Sequence, residues 1–282
     1  MEKLDIYQMV TNTIIEQLEK GKIPWKKEWD CVNAPVNFVT KKPYRGMNVF
    51  LLGCKGYKSP YWLSFKQVKD KRGFVKQGEK SSIVVFWEFL TFKDKENLDE
   101  NGVPAIKQVP LLKYYRVFNT EQCEGLTVPA IEERQFTPIE ECEKVVNGYN
   151  MTIEYKGDKA CYSPQLDIVR MPAKEQFKSE QGFYSTLFHE LTHSTGHITR
   201  LNREFGTHFG SENYSYEELI AELGACMLCN FCGIHTTIEN STAYIQSWLK
   251  VLKNDKKMIV TASGKAQKAV DFILGKEVVK AE

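Results

Sequence analysis

The sequence predicts an α+β protein of two domains. Three observations carry this: the chain length, a C-terminal half in which short strands precede a run of helices, and a change of character in between. A chain of 282 residues corresponds to about two ordinary domains. Its 42% hydrophobic and 26% charged residues are those of a chain able to bury a core. Residues 119–138, with Thr127, Pro129, Glu132, Glu133, Arg134 and Pro138, are acidic, proline-punctuated and without periodicity. This places a first domain at 1–125, a linker at 126–137 and a second domain at 138–282.

The elements follow in order. Leu4, Tyr7, Val10, Ile14, Ile15 and Leu18 recur at helical spacing over residues 4–20, and Gly21 closes the run. Residues 21–29 form a proline-broken loop with two tryptophans flanking two lysines. Turns and short pieces are expected over 33–65, then a short helix from Trp62 to Lys71. Ser82–Phe92 and Leu111–Phe118 read as strands of a long hairpin, joined by the charged, turn-prone segment Lys93–Pro104. In the second half, Pro138–Tyr149 reads as a helix, and Thr152–Tyr155, Lys159–Tyr162 and Leu166–Met171 read as strands. Helices are expected near 175–197, 215–232, 240–254 and 261–275, and strands followed by helices indicate α+β architecture.

Charge is unevenly spread. Residues 1–80 hold 16 Lys plus Arg against 8 Asp plus Glu, a net +8; since the whole chain is +2, the remainder is −6. A basic first third ahead of an acidic remainder suits a polyanionic partner. The start lacks a secretory pattern, no apolar stretch is long enough to span a bilayer, and eight scattered cysteines suit reduced thiols, so a cytoplasmic location is expected.

The most specific signal is His189-Glu190-Leu191-Thr192-His193. Histidines four apart on a helix project from one face, where one tetrahedral ion can bind both imidazoles. Glu190, beside the first histidine, is placed to act as general base on a water at the metal. Three candidates compete for the third ligand. His197 lies too far along a straight helix, and a metzincin would need histidine at position 199, which is Thr199. The helix 214–224 carries Glu218 and Glu222 four apart on one face, 25 and 29 residues after His193. This gluzincin-type arrangement makes Glu218 the ligand and Glu222 the acid that accepts a hydrogen bond from a ligand histidine, with exchange of the two roles left open. One Zn2+ ion is expected, with Mn2+ or another divalent metal as alternatives. Tyr214, Tyr216 and His208 are candidates to stabilise an oxyanion, and the strand Leu166–Met171 is a candidate edge for pairing with an extended peptide. Cys226, Cys229 and Cys232 fall on one helix without a fourth ligand and read as buried thiols.

In the first third, basic and aromatic residues interleave as a single-strand-binding surface requires. Trp25, Lys26, Lys27, Trp29, Tyr44, Arg45, Tyr57, Lys58, Tyr61 and Trp62 show this pattern, and Asn48, Lys76 and Lys80 join the candidate nucleic-acid contacts. Trp62, Phe65 and Trp87, in apolar runs, read rather as core.

The chain resembles the ArdC-like antirestriction proteins of plasmids and other mobile elements. In the second half the resemblance rests on residues 160–164 (ACYSP), 167–172 (DIVRMP), 189–197 (HELTHSTGH), 200–203 (RLNR) and 217–224 (EELIAELG), with Tyr244, 247–252 and Asp255 in the tail. In the first half it rests on 18–21, Pro24-Trp25, 43–48 (PYRGMN), 65–67, 78–80 and 117–119. The resemblance implies a single-stranded-DNA-binding N-terminal domain, a zincin-like metallopeptidase domain, and a role in shielding incoming conjugative DNA from restriction. Many relatives carry Trp where Ser194 stands, a departure expected to alter the cleft wall. Two other functions fit the residues: a non-catalytic DNA-binding protector with a vestigial zincin domain, and a protease acting on DNA-bound proteins. A basic domain on a flexible linker would raise the local concentration of the hydrolase near such targets.

Overall fold

The computed structural model describes residues 5–21, 23, 35–98, 104–129, 138–205, 212–234 and 242–276. The first helix, α1 (Ile6–Glu19), starts where the Asp5 carboxylate accepts a hydrogen bond from the Gln8 amide, and buries Val10, Ile14 and Leu18. A two-residue strand β1 (Val36–Asn37) precedes α2 (Met47–Gly53), then β2 (Tyr61–Ser64), α3 (Phe65–Asp70) and β3 (Phe74–Val75). The helix expected over Trp62–Lys71 is therefore a strand followed by a helix. Trp62 and Leu63 sit in the sheet, while Ser64 and Gln67 form a reciprocal cap that opens α3.

The long hairpin comprises β4 (Ser82–Leu98) and β5 (Pro104–Asn119), and its strands run further than expected. Lys93 pairs with Ile106, Asp94 with Ala105 and, after a register shift, Leu98 with Pro104, so the start of the charged segment expected as a loop belongs to the strand, while residues 99–103 lie outside the described residues. A two-stranded ribbon open to solvent tolerates charged side chains that a sheet packed on a core would reject. The sheet order is β1-β2-β5-β4, and β6 (Cys123–Glu124) pairs with β3.

The second half follows as α4 (Pro138–Tyr149), β7 (Ile153–Tyr155), β8 (Cys161–Ser163), β9 (Ile168–Met171), α5 (Glu180–Ser194), α6 (Glu212–Cys232), α7 (Thr242–Asn254) and α8 (Met258–Ile273). Its sheet order is β7-β9-β8, so β9 is central, parallel to β7 and antiparallel to β8. Phe183, Leu187, Phe188 and Leu191 of α5 are buried in the main core together with Leu219, Leu223 and Leu228 of α6. Cys226, Cys229 and Cys232 are buried there with Cys142 of α4. No helix among the described residues is long and apolar enough to cross a membrane.

The halves are joined by more than a chain connection. Val10, Ile14, Met47, Phe50 and Leu51 belong to the same core as α5, α6 and α8. Thr11 donates to the Lys256 carbonyl (2.7 Å), the Gly46 amide donates to Gln267 (3.0 Å), and Arg45 pairs with Asp271 of α8. Separating the halves would expose this shared apolar surface, and residues 130–137 of the expected linker lie outside the described residues.

Candidate metal centre

The helix α5 opens on Ser179, whose hydroxyl accepts from the Gly182 amide, and its apolar residues anchor it so that His189, Glu190 and His193 face outward toward α6. The approach of α6 depends on Gly224: a Cβ there would lie 2.5 Å from the Thr192 methyl. This close crossing brings the acidic first half of α6 against both histidines.

The two Nε2 atoms lie 3.1 Å apart, and the Glu218 carboxylate reaches them with one oxygen 3.5 Å from His189 and the other 3.4 Å from His193. Tetrahedral ligands about 2.0–2.1 Å from a zinc ion are separated by about 3.3–3.4 Å, so these donors already have the spacing of a coordination polyhedron. Among the described residues no other trio of His, Cys, Asp or Glu donors is gathered this closely. The charge balance points the same way. Burial disfavours charging His193, yet the Glu217 and Glu218 carboxylates outweigh it and push its pKa up to about 10. His189 is raised too: burial opposes the charge and Glu218 overcomes it. Burial raises the Glu218 pKa but both imidazoles pull it well below the usual carboxylate range. The cluster favours positive charge, supplied by protons or by a divalent ion.

Behind the histidines stands an arrangement that sequence reading missed. Glu217 Oε1 lies 3.2 Å from His193 Nδ1, and Arg203 grips the same carboxylate in a fork, Nη2 to Oε1 at 2.7 Å and Nε to Oε2 at 3.0 Å. A carboxylate only accepts, so Nδ1 carries a proton, and an ion that displaces the Nε2 proton meets that atom's lone pair. Arg203 also donates to Thr195 Oγ1 and the Thr192 carbonyl, which ties the loop after α5 to that helix's end. Burial raises the Glu217 pKa, but His193 and Arg203 outweigh it and hold the acid ionised. Glu222, expected to make the hydrogen bond to a histidine, instead lies 3.8 Å from His189 Nδ1, too far for one. Its Oε2 is buried with no hydrogen-bond partner, and burial pushes its pKa up. One turn further along α6 than Glu218, it stands on the Nδ1 side of His189 and is not among the residues lining the cleft.

The cleft has a volume of about 430 Å³, and its walls include Cys161 and Tyr162 of β8, Phe205 and Tyr214. Of the oxyanion candidates, Tyr214 lines the cleft, Tyr216 turns away to donate to Thr261, and His208 lies outside the described residues. The edge strand facing the site is β8 rather than β9, which is paired on both sides and has no free edge to offer. Tyr162 donates to Asp167, and Arg200 clasps Asp167 and the Ser194 carbonyl, fixing the β8–β9 turn against the end of α5. Ser194 itself is fully buried at 2.9 Å from the Tyr149 hydroxyl, so it does not form the cleft wall. His197 is turned to Thr199 and stands outside the donor group.

The nucleic-acid candidates divide. Trp25, Lys26, Lys27 and Trp29 lie outside the described residues. Tyr44 is buried in a core with Leu52, Trp62, Val84 and Val117, so its ring has no free face for a base. Asn48 is buried as well. It accepts from the Val85 amide and donates to the Val85 carbonyl, both at 2.7 Å, standing in for a neighbouring strand at the edge β4. Arg45 remains half-exposed beside Asp271, Lys76 donates to the Glu121 carbonyl at 2.9 Å, and Lys80 is exposed. The aromatic surface lies elsewhere: Phe65, Phe74, Phe86, Trp87, Phe92 and Tyr115 are exposed, although Phe65 and Trp87 read as core in the sequence. Ribbon strands that leave the body of the sheet have no layer to cover them, which their composition alone does not reveal.

Residues 140–265 match the zincin-like metallopeptidase family, and residues 4–118 match the N-terminal domain of the anti-restriction factor ArdC. The fold is similar to crystal structures of a plasmid-encoded antirestriction ArdC protein, one metal-free and one Mn(II)-bound. Each has a TM-score of 0.78 and 37% identity over 96% of this chain, covering 97% and 98% of theirs. Two DNA primases TraC from Escherichia coli are each 34% identical over 98% of this chain. The chain spans only 27% and 20% of their lengths. The uncharacterized protein y4eC of Sinorhizobium fredii is 32% identical over 95% of this chain and 91% of its own length. This chain belongs to the ArdC-like antirestriction family.

Proposed function

We propose that the protein binds single-stranded DNA through its basic N-terminal half and hydrolyses peptide bonds at a zinc site, in the course of protecting incoming mobile-element DNA from restriction. His189, His193 and Glu218 hold the ion, and the observation that carries this is the spacing of their donor atoms at 3.1–3.5 Å. A bound divalent ion supplies Lewis acidity, which acidifies a water and polarises a carbonyl. The chain's own residues do the rest. Glu190, buried at the cleft floor beside His189, takes the proton from the attacking water and returns it to the leaving amine. Glu217, held by Arg203, keeps His193 in the tautomer that offers Nε2. Tyr214 stands at the wall to donate to the developing oxyanion, and the edge of β8 accepts an extended peptide by strand addition. Metal analysis of the purified protein tests the zinc assignment, and manganese in its place, the ion of one similar structure, would overturn it.

Replacing Glu190 by Ala tests the catalytic reading. Hydrolysis of a protein substrate should fall by at least about a hundredfold, and protection of transferred DNA should fall with it. Protection retained in full would support the non-catalytic protector instead.

A further inference from the structure

The outer edge of β4 is closed at its base and open beyond it. Asn48 takes both the amide and the carbonyl of Val85 at 2.7 Å, so these two groups point away from β5. Pairing with β5 runs unbroken from Ser82 to Asp94, and main-chain groups alternate in direction along an antiparallel strand. Trp87, Phe89 and Thr91 therefore also turn their amides and carbonyls outward, and among the described residues these groups have no partner. The far edge of the hairpin is protected. Pro110 stands across from Phe89, so the outward position on β5 carries a ring that cannot donate. Beyond Phe92, β4 continues as Lys93, Asp94, Lys95 and Glu96, charges of the kind that keep edges apart. The open stretch is thus residues 86–92 (FWEFLTF), which holds every aromatic residue of the strand.

This stretch is self-complementary about its midpoint, Phe89. An antiparallel copy related by a twofold axis through that residue sets Phe86 beside Phe92, Trp87 beside Thr91 and Glu88 beside Leu90. Phe89 then meets its own counterpart, and the outward groups of residues 87, 89 and 91 satisfy one another. A register shift of two residues one way drives the second strand into Asn48, and the other way sets Phe86 against Asp94. Glu88, the one charge in the stretch, is neutralised by Lys113 of its own chain. We propose that β4 pairs with β4 of a second copy of this chain, joining two four-stranded sheets into one across a symmetric dimer.

The area available sets how strong this dimer is. Phe86, Trp87 and Phe92 are 44%, 43% and 51% exposed, which for aromatic side chains amounts to roughly 250–300 Å² per copy. Two copies offer about 500–600 Å², about half of what the smallest stable interfaces bury, before main chain, Phe89, Leu90 and Thr91 are added. The dimer is therefore weak and reversible, with a Kd of about 1–100 μM.

Sedimentation of the full-length protein at concentrations bracketing that range tests the pairing. Thr91→Pro removes an outward amide and spares the ladder to β5, which residues 86, 88, 90 and 92 carry. Expected are a wild type that passes from monomer to dimer and a Thr91→Pro variant that associates at least about tenfold more weakly. Its melting temperature at low concentration should match wild type. Cross-linking reads the register separately. Phe89→Cys, with its Cα about 5.5 Å from its counterpart on the axis, should form a disulfide-linked dimer under oxidised glutathione; Leu90→Cys, about 8 Å from its own, should not. Wild type treated in the same way accounts for the native cysteines. A wild type that stays monomeric throughout overturns the inference; if it then binds an extended peptide that Thr91→Pro does not, the edge serves a peptide instead. A dimer that survives Thr91→Pro, or that cross-links through Leu90→Cys rather than Phe89→Cys, uses another pairing and overturns it too. A dimer seen only with oligothymidylate, and kept in Thr91→Pro, is two chains on one DNA strand rather than a shared sheet.

Discussion

The metal centre and the basic N-terminal half use polar side chains in opposite ways. Around His189 and His193, nearly every ionisable group is turned inward on a common point, and each histidine is set by a carboxylate. In the N-terminal half, Tyr44 and Asn48 are absorbed by the fold, Arg45 is paired with Asp271, and the groups at the surface are scattered lysines and exposed rings. Chemistry at an ion demands fixed distances, so its residues show in the sequence as spacing. Contact with a flexible polyanion demands only charge and flat surfaces, so many arrangements serve and spacing carries little information.

The largest expected effect tests how completely the metal side depends on pairing. Arg203→Met leaves Glu217 charged and buried without its fork, which should destabilise the protein by about 3–5 kcal/mol in denaturant unfolding. Metal affinity should fall about 10–100-fold as His193 loses its fixed orientation. Next comes Asn48→Ala, which strands the Val85 amide and carbonyl at the edge of β4 and should cost about 2–3 kcal/mol. Oligonucleotide affinity of the folded variant should stay within about twofold of wild type, because a buried amide touches no phosphate.

These two side chains also mark what was legible. The histidine pair and Glu218 stand at helical spacing and were readable. Arg203 and Glu217 were not, because a loop residue finds its partner only when the chain after α5 folds back to bring Arg203 against α6; the recurrence of 200–203 and 217–224 in the family resemblance was the available signal. Periodicity marked α1 and α5 to α8, whereas α2, a seven-residue segment (MNVFLLG) with apolar residues at five positions, has no polar face to give a period. The strand β2 resembles a helix start because two buried apolar residues, Trp62 and Leu63, stand directly before the Ser64 capping box. The charged stretch Lys93–Leu98 resembles a loop because sequence rules expect strands to be covered.

A smaller effect follows from the raised histidines. With a pKa of about 10, His193 carries its proton at neutral pH in the metal-free protein, and an ion must displace it. Apparent metal affinity should therefore rise with pH, by up to about tenfold per unit below pH 10 for each proton released. Calorimetry in buffers of different ionisation enthalpy counts those protons; affinity independent of pH would contradict the charge balance described for the site. The linkage has the same sign for the fold. The metal-free protein gains stability from His193 below its unfolded pKa of about 6.5, and loses it as pH rises through the folded value of about 10. The smallest effect belongs to the dispersed surface: Lys76→Gln or Lys80→Gln should each weaken oligonucleotide binding only about two- to fivefold, lowering the salt slope by about 0.7. A loss of a hundredfold from either would mean that the N-terminal half holds its ligand at a focused point, like the metal side.

The central claim is that two histidines of α5 and Glu218 of α6 form one ion site. Titration of the metal-stripped protein with Zn(II) and Mn(II), beside Glu218→Ala and Glu222→Ala, tests it most directly. One ion should bind per chain, Glu218→Ala should lose about a hundredfold or more in affinity, and Glu222→Ala should stay within about tenfold. Full affinity in Glu218→Ala together with its loss in Glu222→Ala would contradict the assignment and make Glu222 the ligand.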